Sequence, residues 1–259
     1  MRMYSEAEIR DVALIGHGGA GKTSLAEAML FDTKATTRLG RVDDETSTLD
    51  SEPEEKKRKG TINPHVAVVE WQKSKVNVID TSGQGDFLVD SLVALSVADS
   101  AVTVVGASDG VQVYTEKTWQ EAERLGLPRL VYINKMDRER ADFNTALDQI
   151  NRTLSDKAVP IVLPIGKEAG FSGVVDLVTK RACSFDGDGR EVQVGEIPSA
   201  LAAEVTAARD RLIEAVAASD DDLMAKFFDA GTLTDEELAS GLKKAVANRD
   251  VFPVLCGSA

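Results

Sequence analysis

Residues 16–23 read Gly16-His17-Gly18-Gly19-Ala20-Gly21-Lys22-Thr23, which matches the pattern G-x-x-x-x-G-K-[ST]. A short apolar run, Val12, Ala13, Leu14 and Ile15, precedes it, and residues 24–31 after it are rich in Ala, Leu and Met. The local order is therefore strand, glycine-rich turn, helix, the setting this motif requires. Glycines let successive backbone N–H groups converge on phosphate oxygens at a helix N-terminus, Lys22 brings a point charge to the β- and γ-phosphates, and the Thr23 hydroxyl ligates Mg²⁺. A glycine-rich turn with an incidental lysine is the competing reading, and it leaves the agreement of motif and context unexplained.

Working outward, residues 66–69 and 76–79 are β-branched runs separated by a polar turn at Gln72, Lys73 and Ser74, which predicts an antiparallel hairpin. A helix is expected near residues 88–97, a strand at 101–105, a helix near 116–125 and a buried strand at 130–133. Phe143, Leu147, Ile150 and Leu154 mark a further helix. Strands alternating with helices give an α/β fold of the P-loop NTPase kind, a mostly parallel sheet with helices on both faces. The pattern changes after Pro160. Residues 161–248 hold short β-type pieces, a turn at Asp186-Gly187-Asp188-Gly189 and acidic amphipathic helices, one opening with a capping box at Thr234 and Glu237. The expected organisation is a core over residues 1–160, an inserted α+β subdomain over 161–248, and a last core strand with its loop over 249–259. The charge run at residues 52–59 reads as a solvated loop.

With 259 residues the chain can bury a large core, and 43% hydrophobic against 28% charged residues is the balance of a globular protein rather than a disordered one. No uncharged apolar run approaches the roughly 18 residues of a transmembrane helix. A formal charge of -13 repels nucleic-acid phosphate, so any RNA contact must be local. Two cysteines, Cys183 and Cys256, and two histidines, His17 and His65, are too few for a disulfide framework or a Cys/His zinc site. The polar start of the chain, with Glu6 and Glu8, lacks the apolar core of a secretory signal and the acid-poor character of a transit peptide. A cytoplasmic address is the expectation.

The base is read elsewhere. Asn134-Lys135-Met136-Asp137 follows the apolar strand at 130–133, and so sits at a strand carboxyl end, where open α/β sheets bind ligands. A carboxylate there accepts from both guanine N1–H and N2–H₂, a donor pair adenine lacks. Asp80-Thr81-Ser82-Gly83 ends the hairpin's second strand, placing Asp80 to hold Mg²⁺ through water and leaving the Gly83 N–H to approach the γ-phosphate. Thr61, after the charge run, offers a hydroxyl to the same Mg²⁺ when its loop closes. His17 and His65 read as loop residues rather than ligands or bases. No G-x-S-x-G elbow or nucleophilic triad is present.

Together these motifs resemble the translational GTPases, and specifically the GTP-binding domain of bacterial elongation factor G and its paralogues. The resemblance runs from about Val12 to Ala259. It includes Gly110-Val111-Gln112 followed by Glu116 and Trp119, the segment PRLVYINKMDR at residues 128–138, Gly173-Val174-Val175-Asp176-Leu177, and the closing Cys256-Gly257-Ser258-Ala259. The long insertion between the guanine reader and that closing loop is the feature minimal GTPases lack. The resemblance implies that Gly16 to Thr23, with Ser24 next, form the phosphate loop, that Thr61 is the switch I threonine, and that Asp80 to Gly83 begin switch II. It further implies that Asn134, Lys135 and Asp137 read guanine while Ser258 and Ala259 close over its O6.

Three departures fall on the catalytic centre. Elongation factor G usually has Asp where this chain has Gly19, and D-T-P-G-H where it reads Asp80-Thr81-Ser82-Gly83-Gln84. Switch I reads Lys59-Gly60-Thr61-Ile62 rather than R-G-I-T-I, with Arg58 displaced. Gln84 is chemically reasonable, because its amide both donates and accepts, as a water-orienting group must. The expected activity is Mg²⁺-dependent hydrolysis of GTP to GDP and phosphate, carried by Lys22, Thr61, Gly83 and Gln84, with Thr23, Thr61 and Asp80 at the metal. No arginine finger is evident, so slow turnover awaits a partner, by resemblance the large ribosomal subunit. The chain is expected to be a monomer with no DNA or membrane partner, and a fragment of a larger multidomain factor. Rival readings are a GTP/GDP-dependent binding module with little hydrolysis, and a P-loop ATPase or kinase.

Overall fold

The computed structural model describes residues 3–185 and 192–259, so the turn expected at 186–189 lies outside the described residues. The chain forms two compact units, one of Met1–Gly106, Val111–Leu127 and Ala259, the other of Ala107–Gly110 and Pro128–Ser258.

The first unit holds β1 (Ile9–Ile15), α1 (Lys22–Asp32), α2 (Pro53–Arg58), β2 (His65–Trp71), β3 (Ser74–Asp80), α3 (Leu88–Leu95), β4 (Ser100–Gly106) and α4 (Val113–Arg124). Its strand order is β2-β3-β1-β4, with β1 parallel to β3 and β4 and β2 antiparallel to β3. Ala13, Leu14 and Ile15 are wholly buried. Because successive strand residues point to opposite faces, both faces of β1 are covered. Ala13 and Ile15 pack with Ile79, Ala101, Ala94 and Leu95 of α3, and Ala122 of α4, while α1 lies against β2 and β3. The register pairs Leu14 with Asp80, so the last residue of β3 sits level with the end of β1. At the hairpin, Gln72 and Lys73 take φ of 44° and 75°, the left-handed pair that a two-residue turn needs to follow the strand twist. Ser74 already belongs to β3.

The second unit holds β5 (Arg129–Asn134), α5 (Phe143–Thr153), β6 (Ala158–Pro160), β7 (Val162–Ile165), β8 (Gly173–Asp176), β9 (Arg181–Phe185), β10 (Val192–Gly195), α6 (Ala202–Ala217), α7 (Asp221–Ala230), α8 (Asp235–Asn248) and β11 (Phe252–Cys256). Late in sequence, β11 pairs in parallel with both β5 and β6. The β7 to β10 segment is a separate antiparallel sheet in the order β10-β9-β8-β7. Arg209 of α6, almost fully buried, donates to the carbonyls of Leu177 and Val178 and to Asp235 Oδ1 at 2.6 Å, so one guanidinium holds α6 to the end of β8 and to the start of α8. The capping box of α8 forms as expected, Thr234 Oγ1 accepting from the Glu237 N–H and the Glu237 carboxylate from the Thr234 N–H. The α/β class, with mostly parallel strands and covering helices, is the one the alternation predicts. Within the second unit β5 and β6 are joined through β11.

Two expectations need correction. Residues 52–59 are not a solvated loop: Pro53 opens α2, Glu54 and Glu55 occupy its first turn, Lys56, Lys57 and Arg58 its last, and Lys59 ends it at φ 53°. That charge order complements the helix dipole, and it carries no apolar period to announce a helix. His65 is likewise no loop residue, since it opens β2 opposite Asp80.

Leu95, with no exposed surface among Ala13, Ile15 and Ala98, tests this packing. Leu95→Ala is expected to lower the unfolding free energy by about 2–5 kcal/mol in urea titration. A loss under about 1 kcal/mol contradicts the packing described.

Candidate functional site

Chain reversal after β1 demands glycine at two points. Gly16 has φ 133°, and a Cβ there would run into the Val104 carbonyl oxygen; Gly21 has φ 96° and hands the chain into α1. Lys22 and Thr23 then occupy the first turn of α1, which carries no acidic residue. The buried Lys22 Nζ donates to the carbonyls of Gly16 (3.1 Å) and His17 (3.0 Å), which holds the ammonium inside the loop. Burial pulls Lys22 down to about 8, with Asp80 opposing.

Beside it four side chains from three segments meet. Thr23 Oγ1 donates to Asp80 Oδ2 at 2.7 Å and lies 2.8 Å from Thr61 Oγ1; Thr61 Oγ1 is 2.9 Å from Asp50 Oδ1 and 3.3 Å from Asp80 Oδ2. All four residues are buried. Asp80 Oδ1 and Asp50 Oδ2 have no hydrogen-bond partner among the described residues. Two hydroxyl protons cannot serve all of these oxygen–oxygen approaches, so the cluster is short of positive charge. Burial accordingly pushes Asp80 up to about 6, against the Thr23 hydroxyl and Lys22, and also raises Asp50. An oxygen-only donor set with two orphaned carboxylate oxygens fits a hard divalent cation such as Mg²⁺.

Residues 81–84 continue directly from Asp80. The Gly83 carbonyl accepts from the Gly18 N–H at 2.8 Å, and a Cβ on Gly83 would meet Gly18, His17 and Lys22, so only glycine permits the approach. Ser82 is buried, accepting from the Gln84 N–H through Oγ and from Ser91 Oγ of α3 through its carbonyl. A Cβ on Gly60 would lie 3.1 Å from Gln84 Nε2, so the Gln84 amide reaches the backbone beside Thr61. His17 stacks on Tyr114 at 5.2 Å.

In the second unit β5 ends at buried Asn134, whose carbonyl accepts from the Ala107 N–H, and Lys135 takes φ 63°. The Met136 N–H donates to the Gly257 carbonyl, the Gly257 N–H to that of Ile133, and Ser258 Oγ to Asp137 Oδ1. Asn134, Lys135, Asp137 and Ser258 therefore form one group, with the Asp137 side chain half exposed. Gly16 to Ser24, Thr61, Asp80, Gly83 and Gln84 form another in the first unit.

Sequence reading missed Asp50 and Glu27. Glu27 of α1 is wholly buried, and its Oε1 accepts from Ser47 Oγ and from the Thr48 and Leu49 N–H groups. Its signal was a lone acid on the stripe of Thr23 and Leu30, three positions that share one helix face.

A model of the elongation factor Tu GTP-binding domain matches residues 7–259. The chain belongs to that family. It is therefore a translational GTPase G domain and binds guanine nucleotide. A crystal structure of a protein from Thermus thermophilus superposes with a TM-score of 0.90 at 36% identity, covering 97% of this chain and 38% of the other. The chain thus spans little more than a third of that relative. No helix among the described residues is long and apolar enough to cross a membrane.

Asp80 supplies a pH test. Its folded pKa of about 6 exceeds the ordinary 3.8, so the folded state binds more protons between those values, and stability drawn from Asp80 falls as pH rises across that window. In urea titrations with EDTA and no nucleotide, the unfolding free energy of the wild type relative to Asp80→Asn is expected to fall from about pH 4 to about pH 6.5. A difference that stays flat or rises contradicts the burial of this charge.

Proposed function

We propose that the chain is the GTP-binding domain of an elongation factor G-like translational GTPase. The observation that carries this reading is the buried oxygen cluster of Thr23, Thr61 and Asp80 beside Lys22. Thr23, Thr61 and Asp80 would hold Mg²⁺. That ion, when bound, supplies charge neutralisation across the β- and γ-phosphates. Lys22 delivers its ammonium to the same oxygens, and the amides of residues 18–23 surround the phosphates. Gln84, within reach of switch I, orients the attacking water through an amide that both donates and accepts. Asn134, Lys135 and Asp137 hold the base, and Ser258, through its hydrogen bond, fixes the Asp137 carboxylate while Ala259 closes over O6.

Residues 161–248, with their own antiparallel sheet and three helices, support the insertion that sets elongation factor G apart from minimal GTPases. The parent protein is then a cytoplasmic factor whose hydrolysis is stimulated by the large ribosomal subunit, and whose switches order around the γ-phosphate and relax after its loss. Gly19, Ser82 and Gln84 favour a second reading, a nucleotide-dependent ribosome-binding module with little hydrolysis.

Single-turnover GTP hydrolysis by the full-length protein, with and without ribosomes, tests the proposal. Stimulation of about 100-fold is expected, and Gln84→Ala should remove at least about tenfold of it. An unstimulated rate sinks the translational assignment, and an unchanged rate in Gln84→Ala favours the module. Asp137→Asn is expected to weaken GDP binding by about 1–3 kcal/mol and to admit XDP, whose base carries an oxygen at position 2. Unaltered GDP affinity by calorimetry refutes the role of Asp137.

A further inference from the structure

The short helix α2 and the turn after it place Thr61 by means of one side chain. Glu55 is wholly buried, and its Oε1 accepts from the Ile62 N–H at 2.9 Å and the Asn63 N–H at 3.1 Å, the two amides that follow Thr61. Its backbone carbonyl accepts from the Gly60 N–H at 3.1 Å, so Glu55 grips the chain on both sides of Thr61. His65 Nε2 lies 2.9 Å from each carboxylate oxygen. His65 is also the β2 residue in register with Asp80. The link therefore runs from the Thr61 turn through Glu55 and His65 to the strand position opposite the metal carboxylate. Without it the turn keeps the Thr61 hydroxyl, 3.3 Å from Asp80 Oδ2, as its side-chain tie to β3.

Glu55, His65 and Asp50 bring one ligand atom each within 4.8 Å, an arrangement compatible with a metal. The Glu55 oxygens already accept from the amides of Glu52, Ile62 and Asn63 and from an imidazole, which makes the group a tie rather than a vacant ligand set. Burial raises the Glu55 carboxyl, but the Ile62 N–H, His65 and the Asn63 N–H outweigh it and hold the group below its ordinary value.

We propose that Glu55 and His65 are positioning residues that hold switch I with Thr61 facing Thr23 and Asp80, and so set the protein's preference for nucleoside triphosphate over diphosphate. The inference rests on the GTPase reading above. Switch I is ordered through γ-phosphate and metal contacts, so a loosened turn lowers the competent fraction for the triphosphate only, and apparent affinity falls by that fraction.

The test is titration of the full chain in Mg²⁺ with GDP and with a non-hydrolysable GTP analogue, for wild type, His65→Ala, His65→Gln and Glu55→Gln. His65→Ala should weaken the analogue about tenfold and leave GDP within about twofold, while His65→Gln, which keeps a donor toward Glu55, restores the wild-type ratio. Glu55→Gln should behave as His65→Ala; should it fail to fold, the histidine pair carries the test alone. An unchanged analogue-to-GDP ratio in His65→Ala, or equal weakening of both, overturns the positioning role. A wild type that binds neither nucleotide overturns the GTPase reading itself, a separate outcome from an unchanged ratio.

Discussion

Asp80 is a carboxylate without exposed surface, set at the end of a strand whose neighbour runs straight into the phosphate loop. An ionised carboxylate in that position is costly unless positive charge and donors reach it, and the chain arranges both. Lys22 and Thr23 come from the helix after the loop, Thr61 from the segment before the hairpin, and each is oriented by backbone that glycine alone permits or that a buried acid grips. The parallel pairing of β1 with β3 puts the carboxylate at the right height, since a shift of one residue would send it to the other face of the sheet. The hydroxyls and carboxylates that meet there still lack enough positive charge, which is a demand for a cation written into the fold.

Two buried glutamates carry the consequences outward. Glu27, on the same helix as Lys22 and Thr23, binds the amides of Thr48 and Leu49 and so places Asp50, while Glu55 binds the amides after Thr61. Each ties the segment that carries Asp50 and Thr61 to the buried oxygen cluster by charge-assisted hydrogen bonds. Such bonds are strong while formed, and once broken they leave an unpaired buried charge.

The parts of the molecule that could be read directly are those where local pattern and chemistry coincide. The phosphate loop, the hairpin, the buried strands and the Asn134 to Asp137 reader each couple a recognisable period to a polar strand end. Thr61 is legible as the threonine that follows the charge run and through the family resemblance, and the structure brings it to Thr23 and Asp80. Asp50, Glu27, Glu55 and His65 escaped because their meaning lies in pairing across 10 to 22 positions. In linear order Glu55 is one charge in a charged run and Glu27 one acid in a helix. The run at 52–59 also concealed a helix, since α2 is fixed by Pro53, by its dipole-matched charges and by the left-handed Lys59, none of which makes a hydrophobic stripe.

The central claim is that this chain binds a guanine nucleotide together with a divalent ion. Competition against a fluorescent GDP, run with GDP and with ADP in Mg²⁺ and again in EDTA, tests it most directly. GDP is expected to displace the probe at concentrations about 100-fold below ADP, with affinity that drops when the metal is chelated. Displacement by ADP at equal or lower concentration, or indifference to chelation, would contradict it.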